Sequence, residues 1–342
     1  MITSTPVGRL PDGRDATLFT LTNANGRVGR LTDYGATLTQ LHVPDRTGRT
    51  GDIVLGFDTL PPYLDGRDYL GATIGRVANR IAQGRLVIDG VAYDLDRNAG
   101  PHHLHGGSVG FDKRLWQATP GADASSGLRL TLESREGDQG YPGSLSVELL
   151  VRFTDDDSLV FEYSATTNRA TAVSLTNHTY FNLAGSGDVL GHELQINGSR
   201  YLPTDRDTIP TGQIDAVTGT PLDFTSSAPI GAALPRLKNR PRGYDHAFVL
   251  DQITPVAARL HEPMTGRVVE LSTTEPVLQL YTANYFDGTA TGKYGTRYAQ
   301  HAGVALEPGR YPDAPNQPGF PGITLTPGER YHQRTVYRFM VA

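Results

Sequence analysis

The 342-residue sequence predicts an all-β protein, a large and mostly antiparallel β-sandwich with few short helices. Apolar and polar residues alternate along many segments, a pattern typical of half-buried strands. The 39 glycines and 23 prolines are spread through the chain, where they punctuate short strands. No linker-like segment or composition shift divides the sequence. We therefore expect residues 1–342 to form a single domain.

Two hairpins stand out among the predicted elements. Asp89-Gly90 is a two-residue loop of the kind that favours a tight hairpin, and the acidic stretch 155–157 joins two longer alternating segments. The best helical spacing covers residues 69–81, where we expect one short helix at most. The predicted strands cover residues 86–88, 91–93, 128–132, 145–153, 159–165 and 335–341.

Composition excludes several classes of function. The formal net charge of −5 has no clustered sign, so we expect neither a nucleic-acid nor a membrane partner. The absence of cysteine excludes disulfides, thiolate metal sites and cysteine nucleophiles. We also expect no signal peptide and no membrane helix, because no suitable apolar run is present. The sequence thus indicates a cytoplasmic protein, either a monomer or a homodimer.

Motifs for cofactors and for serine nucleophiles are missing from the sequence. The chain has no phosphate-binding G-x-x-x-x-G-K-[ST] loop and no G-x-G-x-x-G dinucleotide motif. It also lacks the G-x-S-x-G turn of serine hydrolases. We therefore expect no cofactor.

Three separated residues predict an acid–base site. His178 and His105 lie in segments rich in small and aromatic residues, and Glu307 ends the apolar run 303–306. Histidine titrates near neutrality, and a buried carboxylate is costly unless it is paired or used. His178 could instead be a core histidine that is hydrogen-bonded by the backbone. The His103-x-His105 pair could bind a metal, but a third nearby ligand is missing, so we expect no metal site.

Several polar residues in apolar surroundings indicate a sugar site. Gln279 lies inside an apolar strand pattern, where its amide needs hydrogen-bond partners that a hydroxylated ligand could supply. Asp245 lies in a turn-like segment, where a structural role is an equal alternative. Asn79 and Arg80 form a polar pair within an apolar frame, although they could also be a surface pair. Together these planar donors and acceptors suit the vicinal hydroxyls of a monosaccharide substrate.

These segments, taken in order, resemble the galactose mutarotase (aldose 1-epimerase) family across nearly the whole chain. One such motif would be a weak signal, whereas six in family order are a specific one. The matching segments are Gly75-Arg76-Val77-Ala78-Asn79-Arg80-Ile81, Leu104-His105-Gly106-Gly107, Thr176-Asn177-His178-Thr179-Tyr180-Phe181-Asn182-Leu183, Gly243-Tyr244-Asp245-His246, Gln279-Leu280-Tyr281, and Leu306-Glu307 through Tyr311-Pro312-Asp313.

The resemblance implies a β-supersandwich fold and a cofactor-independent isomerase that interconverts the α and β anomers of free aldohexoses such as galactose and glucose. It implies Glu307 as general base, His178 as general acid, and His105 as a second histidine near the ring oxygen. The residues implied to hold the sugar hydroxyls are Asn79, Arg80, Asp245 and Gln279.

The sequence departs from the family pattern just after the glutamate. Pro308-Gly309 stands where the family usually has a Thr/Ser-Gln pair, and Tyr311 stands where phenylalanine is common. These changes leave the glutamate in place, and they leave the shape of the site's rim, and hence the sugar preference, open.

Three alternatives have to be weighed against the mutarotase hypothesis. A glycoside hydrolase would use Glu307 and Asp245 as paired carboxylates, which leaves the histidines unexplained. A non-catalytic sugar sensor would not need an intact acid and base. An enzyme for hexose 6-phosphates would need an added arginine cluster at the site. For a mutarotase we also expect the nearby carboxylate to favour the protonated form of His178. The pH dependence of kcat/KM should then be bell-shaped.

Overall fold

The computed structural model describes residues 1–66, 68–251 and 255–342. Their regular structure is almost entirely β. The strands are β1 (Ile2–Arg9), β2 (Asp15–Thr22), β3 (Val28–Thr32), β4 (Thr37–Pro44), β5 (Thr50–Asp52), β6 (Thr73–Ile74), β7 (Arg80–Ile81), β8 (Arg85–Ile88), β9 (Val91–Asp94), β10 (His103–Leu104), β11 (Gln117–Pro120), β12 (Leu128–Ser134), β13 (Leu145–Phe153), β14 (Ser158–Thr167), β15 (Thr171–Ala172), β16 (Thr176–Asn177), β17 (Tyr180–Phe181), β18 (Glu193–Ile196), β19 (Arg200–Leu202), β20 (Asp215–Ala216), β21 (Ala228–Pro229), β22 (Asp245–Val249), β23 (Ala258–His261), β24 (Arg267–Thr273), β25 (Val277–Tyr281), β26 (Val304–Gly309), β27 (Thr324–Leu325) and β28 (Tyr331–Val341).

Helical structure is limited to short pieces. Within the described ranges the one α-helix is α1 (Pro61–Asp65), and none of the helices there is long and apolar enough to cross a membrane. Single 3-10 turns cover Ala82–Gly84, Phe111–Lys113, Asp138–Gly140, Leu234–Arg236, Lys293–Gly295 and Ala314–Asn316. The all-β fold class with few short helices is confirmed.

Three large sheets form the body of the protein. Within each of them, the neighbouring strands described here run antiparallel. The nine-stranded sheet has the order β11-β12-β13-β14-β28-β24-β23-β18-β21, the six-stranded sheet β17-β26-β25-β22-β19-β20, and the five-stranded sheet β1-β2-β3-β4-β5. The predicted strands and both hairpins are confirmed. In the β8–β9 hairpin, Asp89 (φ 51°) and Gly90 (φ 78°) are both left-handed, as a tight two-residue loop requires.

The predicted short helix over residues 69–81 is wrong. The segment instead contributes β6, which pairs with β16, and β7, which pairs with β10. Tyr69, Gly71 and Asn79 all have positive φ angles (55°, 70° and 62°), which a right-handed helix excludes. At Gly71 a Cβ atom would lie 2.0 Å from the Leu38 carbonyl oxygen, so only glycine fits there. The apolar side chains of this segment, whose spacing suggested a helix, pack into the core from an irregular backbone.

The nine-stranded and six-stranded sheets pack face to face. Tyr337 of β28 lies against Phe181 of β17, with ring centroids 5.2 Å apart, and its hydroxyl donates to the Leu306 carbonyl of β26 at 3.1 Å. Apolar residues from all three large sheets share one buried cluster. This contact uses one face of the six-stranded sheet and leaves the other face free to line a cavity. That the whole chain is one domain stays a prediction.

Arg76 anchors the segment between β6 and β7 to the rest of the fold. Its side chain is buried, and burial lowers the pKa of the guanidinium to about 10. The guanidinium donates to the carbonyls of Ser134, Arg135, Pro142 and Gly143 and to the hydroxyls of Ser134 and Thr171, at 2.9–3.1 Å. Arg76 is therefore a structural residue, and it fixes the backbone that leads to Asn79 and Arg80.

Removing this anchor should destabilise the protein. In Arg76→Met the apolar stem remains, but several buried carbonyls lose their charged donor, so we expect the free energy of unfolding to fall by at least about 3 kcal/mol. Arg129→Met is the matched control, because Arg129 forms an exposed ion pair with Glu148 and should contribute less than about 1 kcal/mol. Urea denaturation measures both. Equal effects of the two substitutions would contradict the assigned role of Arg76.

Candidate active site

Strand register places the carboxylate and the amide on the free face of the six-stranded sheet. Glu307 of β26 pairs directly with Gln279 of β25, which in turn pairs with Ala247 of β22. Directly opposed residues of an antiparallel pair project to the same side of a sheet. The three residues therefore form one row on this face of the sheet.

A second row lies two residues away along the same strands. Tyr180 of β17 pairs with Ala305, Ala305 with Tyr281, and Tyr281 with Asp245. Because side chains alternate between the faces of a strand, this row shares the face that carries Glu307. Gln279 Nε2 donates to Asp245 Oδ1 at 2.6 Å, which links the two rows and orients the carboxylate.

The opposite side of the site comes from two strained loops. Asn79 (φ 62°) and His105 (φ 51°) both adopt left-handed backbone conformations. The His105 backbone N–H donates to the Asn79 carbonyl at 3.0 Å, and the Asn79 N–H donates to His105 Nδ1 at 3.2 Å. Asn79 Oδ1 accepts from the Arg80 N–H at 2.8 Å. Since Nδ1 accepts, the neutral His105 ring carries its proton on Nε2.

His178 follows β16 and is held by the backbone. Its N–H donates to the Ala72 carbonyl at 2.9 Å, and its carbonyl accepts from the Gly71 N–H at 3.0 Å. His178 Nε2 lies 3.5 Å from Glu307 Oε1, and both side chains are buried. Tyr69 stacks on the His178 ring, with centroids 5.8 Å apart. Thus His178 is buried, but its ring is not satisfied by the backbone: Nδ1 has no hydrogen-bond partner among the described residues, and Nε2 faces the carboxylate.

All seven predicted site residues line one cavity of about 280 Å³. The sequence motifs identified the charged and amide groups but missed most of the aromatic ones. Tyr180 and Tyr281 are each two residues from a predicted site residue, so strand alternation is the signal that could have found them. Tyr69 had no such signal, because its position depends on a left-handed turn. The additional lining residues are Asp68, Tyr69, Leu104, Tyr180, Tyr281 and Tyr285.

The expectation of a protonated His178 is wrong for the free protein. Burial lowers the pKa of His178 to about 4, because an imidazolium would be desolvated there. Burial also lowers the pKa of His105, with further contributions from His178 and Arg80. Desolvation of the imidazolium is therefore a larger effect than attraction to the nearby carboxylate.

Burial acts in the opposite direction on the carboxylate. The pKa of Glu307 is raised well above its usual range by burial and by the charge of Asp245, and Arg80 opposes the shift. The two perturbed groups face each other, an arrangement typical of acid–base sites. In the free protein the proton that they share therefore favours Glu307 over His178.

The alternative in which His103 and His105 bind a metal together is not supported by the geometry. His103 Nδ1 contacts the Asp96 carbonyl at 2.6 Å and His103 Nε2 contacts the Tyr141 hydroxyl at 2.7 Å, so both ring nitrogens are used in the core. The left-handed turn at His105 separates the two side chains. Ligand atoms of His105, His178 and Glu307 do lie within 4.8 Å of one another, and among the described residues this group could hold an ion.

The residues that depart from the family pattern lie away from the cavity. Pro308 pairs with Leu278, so it faces the opposite side of the sheet from Glu307, and its carbonyl accepts from Gln333 Nε2 at 3.3 Å. Tyr311 packs on Phe320, with ring centroids 5.1 Å apart. Among the described residues that line the cavity, neither these nor Gly309 appears. The departures from the family pattern therefore do not change the residues that line the cavity directly.

A larger groove of about 740 Å³ opens beside the cavity and shares Asp245 and Tyr285 with it. Its cationic side chains are Arg206, Arg236, Lys238 and Arg240. Within the described part of the chain, Arg80 is the one Lys or Arg residue that lines the cavity itself. The cations thus lie beside the cavity that contains Glu307 and His178, and not within it.

The fold and site define a β-sandwich enzyme with acid–base groups in a sugar-sized cavity. A sequence model described as aldose 1-epimerase matches residues 17–338. Galactose mutarotase from Rattus norvegicus is 44% identical over 100% of this chain and 99% of its own length. Aldose 1-epimerase from Escherichia coli K12 is 39% identical over 99% of each chain. This chain belongs to the aldose 1-epimerase family.

A solved structure supports the same relationship. The aldose epimerase homologue from C. elegans superposes with a TM-score of 0.89 at 33% sequence identity. The alignment covers 94% of this chain and 98% of the other.

The burial of Glu307 should make stability depend on pH. Its folded pKa is raised, so its contribution to stability is fully present below the unfolded value of 4.5 and is lost as pH rises through the folded value. Glu307→Gln stays neutral, and it should therefore gain stability relative to wild type between pH 4 and pH 9. Each pKa unit corresponds to about 1.4 kcal/mol, so we expect at least that gain.

Urea denaturation at several pH values measures this difference. Glu133→Gln is the control, because Glu133 is exposed on β12. A Glu307→Gln variant whose advantage over wild type is the same at pH 4 and pH 9 would show that burial does not perturb the carboxylate.

Proposed function

We propose that this protein interconverts the α and β anomers of free aldohexoses, such as galactose and glucose, by acid–base ring opening and closure. The observation that carries the proposal is the 3.5 Å approach of His178 Nε2 to Glu307 Oε1 within a sugar-sized cavity. A mutarotase needs such a pair, because protons must be exchanged at two oxygens bonded to the same carbon. Membership of the aldose 1-epimerase family supports the same activity.

Ring opening moves one proton onto the sugar and one off it. Glu307 as carboxylate takes the proton from the anomeric hydroxyl O1, and C1=O1 forms as the C1–O5 bond breaks. His178 as imidazolium gives its proton to O5, and the N–H of His105 is available as a second donor to that oxygen. The step leaves an open-chain aldehyde, a protonated Glu307 and a neutral His178.

Ring closure is the same step in reverse on the other face of the carbonyl. Rotation about C1–C2 turns that face toward O5. His178 then takes the proton from the O5 hydroxyl while Glu307 returns its proton to O1, and the other anomer results. Each group acts once as acid and once as base, so no external proton is required over the full cycle.

The perturbed pKa values define the resting state of this cycle. Burial favours protonated Glu307 and neutral His178, which is also the state that accompanies the open-chain sugar. The state needed for the cyclic sugar has the same number of protons and differs only in their position. Transfer of one proton between the two residues connects the states, so both can be reached without a change in net charge.

The remaining polar residues are proposed to bind the sugar hydroxyls. Asp245 is oriented by Gln279, and the two together offer a carboxylate acceptor and an amide. Arg80 and Asn79 lie on the opposite wall, next to His105. These contacts would hold C1 near the acid–base pair, since a proton can be transferred only within hydrogen-bond reach.

The wider context is proposed from the chemistry. Proton transfer by side chains needs no cofactor, and the partner is a small monosaccharide. We propose a cytoplasmic monomer or homodimer, in line with the cysteine-free composition. A glycoside hydrolase remains less suited to the site, because His178 would then lie against the carboxylate without a role.

Activity is tested by polarimetry of freshly dissolved α-D-galactose and α-D-glucose. Wild-type protein should accelerate the relaxation of optical rotation in proportion to its concentration. Glu307→Gln and His178→Asn should each reduce kcat by about 10²–10⁴-fold, the usual contribution of a positioned acid or base. Asp245→Asn should mainly raise KM, because its carboxylate is assigned to hydroxyl binding.

The controls separate this mechanism from its rivals. Glu133→Gln should keep wild-type kinetics. Excess EDTA should leave the rate unchanged, because a bound ion would occupy the same His178 and Glu307 atoms that exchange protons. No acceleration with any common aldose would refute the proposed function, and loss of activity with EDTA would favour a metal mechanism.

The pH dependence of kcat/KM should be bell-shaped, and its two limits should differ from the ordinary pKa values of histidine and glutamate. The active pair carries one shared proton. Protonation of His178 as well should set an acid limit near pH 4, and loss of the shared proton from Glu307 should set an alkaline limit well above the usual carboxylate range. Initial rates across pH measure both limits. An acid limit near 6.5, the ordinary value for histidine, would contradict the assigned protonation states.

A further inference from the structure

Tyr180 belongs to the same motif as His178, yet the mechanism above gives it no role. Its side chain is only 2% exposed, and its ring packs against His178, Tyr281 and Phe286 with centroid distances of 4.8, 6.0 and 5.3 Å. Tyr180 lines the cavity, in the row of the six-stranded sheet next to that of Glu307. The ring is thus fixed beside His178, in the row next to that of Glu307.

The hydroxyl of Tyr180 differs from those of Tyr298 and Tyr337, which are also buried. Tyr298 donates to the Gly56 carbonyl at 2.8 Å, and Tyr337 donates to the Leu306 carbonyl at 3.1 Å. Within residues 1–66, 68–251 and 255–342, no protein group forms a hydrogen bond with the Tyr180 hydroxyl. Buried hydroxyls are normally satisfied, so a ligand in the cavity is the natural partner.

The surroundings determine which hydrogen-bonding role this hydroxyl can take. The pKa of Tyr180 is raised first by burial and then by the nearby Tyr281, Glu307, Asp68 and Asp245, all of which line the same cavity. The phenol therefore keeps its proton over the working pH range. It can serve as a hydrogen-bond donor but not as a base.

We propose that Tyr180 is a further catalytic residue, whose hydroxyl donates a hydrogen bond to O1 or O5, the two sugar oxygens that exchange protons. The proposal rests on the mutarotase function given above. Negative charge builds up on these oxygens as the C1–O5 bond opens and closes. A fixed donor can stabilise that charge more strongly in the transition state than in the bound cyclic sugar.

The test is a comparison of two isosteric substitutions. Tyr180→Phe removes only the hydroxyl, and it should lower kcat for α-D-galactose at least about 10-fold with KM changed by less than about 3-fold. Its melting temperature should not fall, because the hydroxyl stabilises no protein contact. Tyr298→Phe is the matched control from the same apolar cluster, and it should lower the melting temperature but keep wild-type kcat.

Each outcome decides the proposal. Tyr180→Phe with normal kcat overturns it and leaves the mutarotase function intact if the wild type is active. A rise in KM alone also overturns it, because the hydroxyl would then bind a non-reacting part of the sugar. A variant that unfolds or melts earlier overturns it too, since the hydroxyl would have a structural role. An inactive wild type refutes the proposed function, which the inference requires.

Discussion

The burial of Glu307 beside His178 is the constraint on which the rest of the site depends. A carboxylate that loses water holds its proton more tightly, and a buried imidazole holds its proton less tightly. Two groups with ordinary pKa values of 4.5 and 6.5 are thereby shifted in opposite directions. In the proposed mechanism, one proton can then occupy either residue, depending on which form of the sugar is bound. In water the same two side chains would ionise separately and lose this exchange.

The six-stranded sheet and the wall opposite it bury these two side chains. Pairing of β26 with β25, and of β25 with β22, fixes Glu307, Gln279 and Asp245 on one face, while the other face packs on the nine-stranded sheet. The opposite wall has only the short β7–β10 pairing among the described residues, and it is also held by Arg76, by left-handed residues and by backbone hydrogen bonds. The rigid sheet thus carries the carboxylates, and the anchored loops carry the histidines.

Much of this architecture could be predicted from the sequence. Alternation identified the long strands, and polar residues in apolar frames identified Glu307, Gln279 and His178. The irregular segment 69–81 was mispredicted as a short helix because its apolar spacing conceals positive φ angles at Tyr69 and Asn79. The protonation state was also mispredicted, since desolvation depends on the complete three-dimensional surroundings. Tyr180 was missed because tyrosine in a strand is usually a packing residue.

Whether Glu307 and the histidines contact the two reacting oxygens of the sugar can be seen in a structure of the Glu307→Gln variant with bound galactose. The impaired base should preserve the bound sugar. We expect O1 to lie within about 3.2 Å of the side chain at position 307, and O5 to lie within the same distance of Nε2 of His178 or His105. The hydroxyls remote from C1 should contact Asp245 or Arg80. A sugar bound with C1 turned toward Tyr285, away from His178, would contradict the account.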